Sequence, residues 1–546
     1  MMKYSPTMLA IMGAKQLFFD DLIIETVNEI TRTFHRPVKV EAPVIGDAMP
    51  WEQVPYFSGG THAVFADPED GLLKCLYNDF RLDRDHWKRT GSLTVENHIM
   101  TVNYAQSEDG LAWERTGLGL RMEGGHDTNI VFGDGTVEDG AVWAFCPVLN
   151  PHETDPARRF RTLYFNWSKE GMRQHVAFSP DAIHWTRSDQ RPSFGGQEGG
   201  GAGDVIVTHY KPATRQYVAS VRHERMSDVH LNPGNPRGDG GYLAFEPHYP
   251  LDFAKVPKRM VWQIESGDFF NWSEPHLILA PQDGFDNLDD EFYGMCQHPT
   301  GDITLGFLNV FQKANNTMQV QLVYSRDGHA WHRLNRGQPF LSPGPAGSWD
   351  RCMVTVMSRP VVRGDELFIF HGGSKSHHDW WMSGPVEGLD APEVHDMKQV
   401  GYGLGLAKLR LDGFVSLDTS PVREGIMVTR PFISDGEELI INADVAPGGY
   451  VQVEVVDGAD HPVPGCARNE CDAFTGDSVR HVVTWKGKKT IGKGQGVGAV
   501  HAGEFNHFRK LRFFMRKARL YSFQIDAPGE AERKAAFPGM GWRTEG

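Results

Sequence analysis

One short pattern constrains this chain more than any other feature. Ser-x-Asp-x-x-x-Trp occurs four times with the same internal spacing. It reads Ser107, Asp109, Trp113; Ser179, Asp181, Trp185; Ser266, Asp268, Trp272; and Ser325, Asp327, Trp331. In three of the four an apolar run leads straight into the serine, as in Val-Ala-Phe-Ser ending at Ser179 and Leu-Val-Tyr-Ser ending at Ser325. The steps from one Trp to the next are 72, 87 and 59 residues. An Asp at this spacing accepts backbone N–H groups and closes a tight turn. The Trp then offers a large apolar face for packing between sheets. The pattern is a structural device, and four copies at one spacing mean a repeated architecture. Each period holds a four-stranded antiparallel sheet with its loops, which is one blade of a β-propeller.

The rest of the chain agrees with this reading. Short apolar runs rich in β-branched and aromatic residues recur at 61–65, 129–132, 141–147, 205–209, 217–222, 303–309, 318–324 and 366–371, bounded by Gly, Asp, Asn and Pro. Strand-length runs dominate and helical periodicity is scarce. The expected fold class is all-β: a five-bladed β-propeller, with four or six blades as the alternatives, followed by a C-terminal β-sandwich. Residues 352–417 supply the fifth blade, and the strand-like segment 16–25 (QLFFDDLIIE) is expected to complete it. Joining the two ends of a ring in one sheet removes an exposed edge. After about residue 421 the repeat is absent, and strands at 438–443, 450–457, 478–485, 510–514 and 518–525 read as a sandwich. The expected division is therefore 1–420 for the propeller and 421–546 for the sandwich with a short tail.

Composition narrows the function classes. The 546 residues are 40% hydrophobic and 23% charged, with a net charge of −15, which is the profile of a globular chain and not of a disordered one. An acidic chain repels phosphate backbones, so nucleic acid is not an expected partner. No run approaches the length needed to span a bilayer, so no membrane partner is expected either. Six cysteines are too few for a disulfide scaffold. Cys75, Cys146, Cys296 and Cys352 sit alone in strand-like runs and read as buried thiols. Cys466 and Cys471 are close enough to bridge. The apolar stretch 8–14 is a poor export signal, and the chain is read as reduced and cytoplasmic. Oligomeric state has no signature in the sequence. Two glycine patterns, 401–405 and 494–498, neither follow a strand nor open a helix, so neither is a phosphate cradle.

A propeller with this turn motif and a C-terminal sandwich resembles the invertase, levanase and inulinase group of glycoside hydrolases, and also the arabinanase and xylosidase propellers. The segment SPDAIHW from Ser179 to Trp185 matches the blade turn of that group, and ARLYSF from Ala518 to Phe523 looks like one of its sandwich strands. The resemblance implies hydrolysis of an oligo- or polysaccharide at one mouth of the propeller, with a carbohydrate substrate and no cofactor beyond an optional structural calcium in the channel. The nucleophile motif Asn-Asp-Pro-Asn-Gly and the Arg-Asp-Pro and Glu-Cys signatures of the group are absent. Its catalytic residues therefore do not transfer by motif.

Candidate residues follow instead from geometry. The innermost strand of each blade faces the channel, and its start lies at one mouth, where carboxylates from several blades converge. Glycoside hydrolysis needs two carboxyl groups, one protonated. Asp127, Asp204 and Glu291 stand at the same blade position and form the expected catalytic set: Glu291 as acid, Asp127 as base or nucleophile, Asp204 orienting and tuning. For each of them a turn-capping role is the competing reading. Residues expected to bind substrate are His62, Asn129, Tyr293, Asp290, Asp350, Arg351, Arg222 and His223, with Trp51 and Glu52 as a sugar platform. The run His377, His378, Asp379, Trp380 could bind metal or line the mouth, though a solvated loop is the simpler reading. Two other functions stay open: a non-catalytic carbohydrate-binding propeller, and a sugar lyase using His and Tyr such as His62 and Tyr293. A facing carboxyl pair at the mouth favours hydrolysis. A mouth of His, Tyr and Arg without that pair favours elimination.

Overall fold

The computed structural model describes residues 9–11, 13–90, 94–193, 203–212, 214–222, 259–282, 285–287, 289–383, 391–434, 436–457, 460–491 and 509–526. The fold is all-β with a few short helical turns. Among the described residues no helix is long and apolar enough to cross a membrane.

The strands from His62 to Arg410 form five consecutive antiparallel meanders. The first pairs His62–Ala66 with Leu73–Leu82 and that strand with His98–Ser107. The second runs through Ala141–Trp143, Phe160–Ser168, Gly171–Ser179 and Thr186–Arg187. The third is Ile206–Lys211, Gln216–Val221, Val261–Ser266 and His276–Leu279. The fourth is Asp290–Thr300, Ile303–Gln312, Thr317–Ser325 and Trp331–Arg333. The fifth is Met353–Thr355, Glu366–Ser374 and Tyr402–Arg410.

Each meander touches the next. Cys146 Sγ lies 3.7 Å from the His62 carbonyl, and Gln174 Nε2 donates to the Gly203 carbonyl at 3.4 Å. Gln297 Nε2 donates to Ser220 Oγ at 2.9 Å, and the Val356 N–H donates to Asn309 Oδ1 at 2.8 Å. The fifth returns to the first, where the Val64 N–H donates to Ser358 Oγ at 2.7 Å. The first strands of neighbouring meanders lie side by side, and the line they flank is called the axis. There the chains approach closely: a Cβ added at Gly294 would lie 2.5 Å from Val205 Cγ1.

All four repeated motifs form the same turn. In each, one Asp Oδ1 accepts two backbone N–H groups, for example from Ile183 at 2.9 Å and His184 at 2.8 Å onto Asp181. The Ser Oγ accepts the N–H of the third residue on, and the Trp Nε1 donates back to that residue's carbonyl, as Trp185 does to Ala182 at 2.9 Å. The third residue takes a positive φ in every copy: Gly110 at 80°, Ala182 at 69°, Phe269 at 73° and Gly328 at 81°. Trp113 packs edge-on against Phe370 of the fifth meander, with ring centroids 5.7 Å apart.

Segment 16–25, expected in the fifth blade, lies elsewhere. Gln16–Leu17 pairs with Lys510–Asp526, and Ile24–Asn28 pairs with Gly425–Thr429. The strand that reaches the fifth meander is Val38–Lys39, against Tyr402–Arg410. Val415–Thr419, also expected in that blade, pairs with Ile30–Phe34 and Lys510–Asp526. Both ends of the chain thus build the C-terminal sheet. The expected boundaries at 438–443/450–457 and 510–514/518–525 disappear into two continuous strands, Glu438–Val456 and Lys510–Asp526. Pro447-Gly448-Gly449 is a bulge between Val445 and Tyr450, with Gly448 at φ 75°, and the strand continues past it in one direction.

One apolar core runs from the meanders into this sheet, including Phe18, Phe19, Phe307, Phe340, Phe414, Phe513 and Ile525. Phe19 meets Tyr324 and Phe414 at ring-centroid distances of 5.5 Å and 6.3 Å. All six cysteines are buried free thiols, so Cys466 and Cys471 do not bridge.

Candidate active site

Two groups of polar side chains collect near the starts of the axial strands. The larger one holds Asp204, Arg222, Arg259, Glu291, Tyr293, Lys313 and His378. Asp204 precedes Ile206–Lys211, and Glu291 and Tyr293 open Asp290–Thr300. Glu291 is 2% exposed. Its Oε2 accepts from Arg259 Nη1 at 2.8 Å, and its Oε1 accepts from Lys313 Nζ at 3.4 Å. Asp204 Oδ1 lies 2.5 Å from Arg222 Nη2. Two guanidinium groups lie over the Tyr293 ring, Arg259 at 4.9 Å and Arg222 at 5.9 Å from its centroid. His378 packs edge-on against Tyr293 at 4.9 Å, and its Nε2 lies 3.3 Å from Asp379 Oδ1.

Burial sets the electrostatics. It lowers the pKa of His378, opposed by Asp379 and Asp204, so that imidazole is neutral near pH 7. It also pushes the Tyr293 phenol well above its ordinary value, with the Asp204 carboxylate adding to the effect. Lys313 is lowered by the same loss of hydration, which Glu291 counteracts.

The second group is Trp51, Glu52, Tyr77, Asn103 and Asn129. The Tyr77 hydroxyl donates to Glu52 Oε1 at 2.6 Å, and Asn103 Nδ2 donates to the same oxygen at 2.9 Å. Asn129 Oδ1 accepts from Trp51 Nε1 at 2.8 Å, while its Nδ2 donates to the Tyr77 hydroxyl at 2.9 Å. The groups approach through the first meander. Phe57 stacks on Tyr77 at 4.9 Å, and a Cβ added at Gly59 would lie 2.5 Å from Tyr293 Cε1. Glycine at 59 lets the backbone meet that ring.

Of the expected catalytic set, Asp204 and Glu291 belong to the first group. Asp127 does not. It is exposed in the short strand His126–Asp127, and both its oxygens accept the Gly119 N–H, at 3.0 Å and 3.1 Å. This is the turn-capping role. No contact among the described residues joins it to Asp204 or Glu291.

Among the expected binding residues, Tyr293 and Arg222 join Asp204, and Trp51, Glu52 and Asn129 join one another. His62 is buried on the axis, its Nδ1 3.1 Å from the Ser58 carbonyl, and burial lowers it to about 4. Asp290 accepts the Asn287 N–H at 2.9 Å, and burial raises it. Asp350 pairs with Lys39 Nζ at 2.5 Å. Arg351 Nε donates to the Lys375 carbonyl at 2.7 Å. His223 lies outside the described residues. Arg259, Lys313, Tyr77 and Asn103 were not legible as site residues, because none sits in a motif; the only sequence signal was a cation or amide inside or beside an apolar run. Among the described residues no group of three or more His, Cys, Asp or Glu is arranged to hold a metal ion.

No known family's sequence profile matches the chain. No curated protein matches it either. Among solved structures it is similar to a glycoside hydrolase at 11% identity, over 71% of this chain and 95% of that one, with a TM-score of 0.44. It is also similar to a β-1,2-mannobiose phosphorylase from Listeria innocua, solved with β-1,2-mannobiose, at 11% identity over 70% and 97% of the two chains, with a TM-score of 0.43. A third is a structure described with mannoside phosphorylases and hydrolases that target β-1,2-mannosidic linkages in Candida mannan, at 14% identity over 69% and 94%, with a TM-score of 0.41.

Proposed function

We propose that this chain is a carbohydrate-processing enzyme of the glycoside hydrolase type, working at the end of the axis where Asp204 and Glu291 meet. In this reading the five meanders are the blades of a propeller, supported by the contacts that run from each to the next and back to the first. The strands after residue 412, with the N-terminal strands, make the sandwich. One observation carries the functional reading: a buried Glu291 and a partly exposed Asp204, at matching positions of neighbouring meanders, are paired with Arg259, Lys313 and Arg222 beside one tyrosine. Burying that many charges is costly, and such clusters concentrate at functional sites.

The roles differ from those expected of the sequence. Both Glu291 oxygens accept from cationic donors, which leaves neither free to carry a proton to a leaving group. Glu291 therefore positions Arg259 and Lys313. Asp204, whose side chain keeps 23% exposure, is the carboxylate that reaches substrate. Asp379 supplies the second carboxyl group, with His378 between the two. No cofactor is required for acid–base hydrolysis by such a pair.

A second reading is elimination from an acidic sugar. It is supported by Tyr293, with His378 packed against it, lying beside two guanidinium groups that would hold a substrate carboxylate. One screen separates the readings. Wild type, Asp204→Asn and Tyr293→Phe are tested on fructans, arabinans, xylans, galactans, sialosides and polyuronates for reducing ends and for ultraviolet-absorbing unsaturated products. Hydrolysis predicts reducing ends without unsaturation and a loss of roughly a hundredfold or more in Asp204→Asn. Unsaturated product that vanishes in Tyr293→Phe selects elimination. Sugar binding with neither product, by a folded protein, rejects both and leaves a binding propeller.

A further inference from the structure

At the opposite end of the axis a second set of groups has no role in this reading. His209 lies near the end of Ile206–Lys211, and His298 near the end of Asp290–Thr300. Arg359 lies four residues past Met353–Thr355. These positions are five to nine residues beyond Asp204, Glu291 and Asp350. At about 3.3 Å per residue in extended chain that is at most roughly 16–30 Å.

Strand alternation aims both histidines inward. Val205 touches the axial Gly294 position, so Val207 and His209 share its face. Past the bulge between Phe292 and Gly294, Cys296 and His298 share the face of Gly294.

At this end polar groups lie without protein partners among the described residues. His209 is 2% exposed, yet among the described residues neither ring nitrogen has a hydrogen-bond partner. His298 Nδ1 is likewise buried and unpartnered. Arg359 forms no hydrogen bond or ion pair among the described residues. Solvent reaches the Arg359 side chain, but the surrounding protein strips enough hydration to lower its pKa.

We propose that this far end of the axis is a binding site for a small oxyanion, held by Arg359 between His209 and His298. The charges around it are uneven. Arg359, Lys211 and His298 all act on His209, and each opposes its protonation. Arg359 does the same to His298, where Asp412 is the opposing anion. Asp412 is already committed to Lys15 Nζ at 2.8 Å and to the Ser522 hydroxyl at 3.0 Å. Cys296 supplies no charge, because burial pushes its thiol up to about 12. A cation is repelled by this set, and a water molecule leaves the guanidinium charge unbalanced. A tetrahedral oxyanion accepts from the guanidinium and from both imidazoles at once. That an acidic chain of net charge −15 keeps an unpaired arginine here makes the pocket a local feature and not part of a basic surface. The site is independent of the chemistry assigned to Asp204 and Glu291.

Sulfate, whose charge is constant across neutral pH, is titrated calorimetrically at low ionic strength into the full chain. Wild type, Arg359→Gln and Glu291→Gln are compared. One sulfate is expected to bind wild type, more tightly as pH falls from about 8 to about 6, because the bound anion raises both histidines and takes up protons. Arg359→Gln weakens it roughly tenfold to a hundredfold. Glu291→Gln leaves it unchanged. Absent binding, or wild-type affinity in Arg359→Gln, overturns the site, as does loss confined to Glu291→Gln. If Arg359→Gln does not fold, histidine NMR of wild type decides: sulfate must shift the His209 and His298 rings, assigned with His209→Asn and His298→Asn, and unmoved rings reject the proposal.

Discussion

His62 sits on the axis at 1% exposure, and its protonation is opposed by burial first and by neighbouring His371 as well. Its folded pKa of about 4 is below the ordinary 6.5, so the unfolded chain takes up the proton first. The native state is then fully favoured above pH 6.5 and loses this contribution as pH falls toward 4. Between about pH 7 and about pH 5 the cost from this one residue is about 2 kcal/mol. Urea unfolding of wild type at both pH values is expected to show at least that loss, and His62→Gln a correspondingly smaller one. Equal pH dependence in the two proteins contradicts the assignment. The sequence marked His62 as a candidate for substrate binding because it precedes an apolar run. What it does not carry is depth: only packing by Phe57, Gly372 and the fifth meander puts the ring out of reach of solvent. Asp127 shows the converse. The same local pattern, a polar residue before a strand, places it on an exposed turn.

The repeated turn is the element most fully legible from sequence, since its hydrogen bonds span only a few residues. Ser, Asp and Trp satisfy one another's neighbours at fixed spacing, and all four copies fold alike. In Asp181→Ala two backbone N–H groups lose their acceptor, for a cost of about 1–2 kcal/mol measured by chemical denaturation. Asp181→Asn keeps one side-chain oxygen and is expected to lose less. An Ala variant as stable as wild type would mean water replaces the carboxylate there. The C-terminal strands were less legible. Pro447-Gly448-Gly449 has the composition of a hairpin turn, but those residues equally serve a bulge. The choice falls to Lys510–Asp526, which pairs with both halves of Glu438–Val456 and holds them in one direction.

At the scale of the molecule the two ends of the chain are inseparable from the C-terminal sheet. Gln16–Leu17, Ile24–Asn28 and Ile30–Phe34 supply strands to it, and Val415–Thr419 enters from the other side of the nominal boundary at 420. A fragment of residues 421–546 lacks all four strands and exposes the edges they cover. It is expected to be unfolded or aggregated by NMR dispersion and gel filtration, whereas coexpression with residues 9–34 and a start at 412 restores a folded sheet. A fragment from 421 that folds alone would refute this dependence. The sequence by itself determined the strand-rich class and the turn that repeats four times, because periodicity and short-range hydrogen bonds are local, whereas it left Cys466 and Cys471 open to a bridge that the structure does not form. It also marked Asp204, Glu291, Tyr293 and Arg222 individually. Only the tertiary structure decided that these four meet Arg259, Lys313 and His378, that Asp127 does not, and that the N-terminal strands cross to the last sheet. Those outcomes depend on which surfaces bury each other across hundreds of residues, and no window of sequence contains both partners.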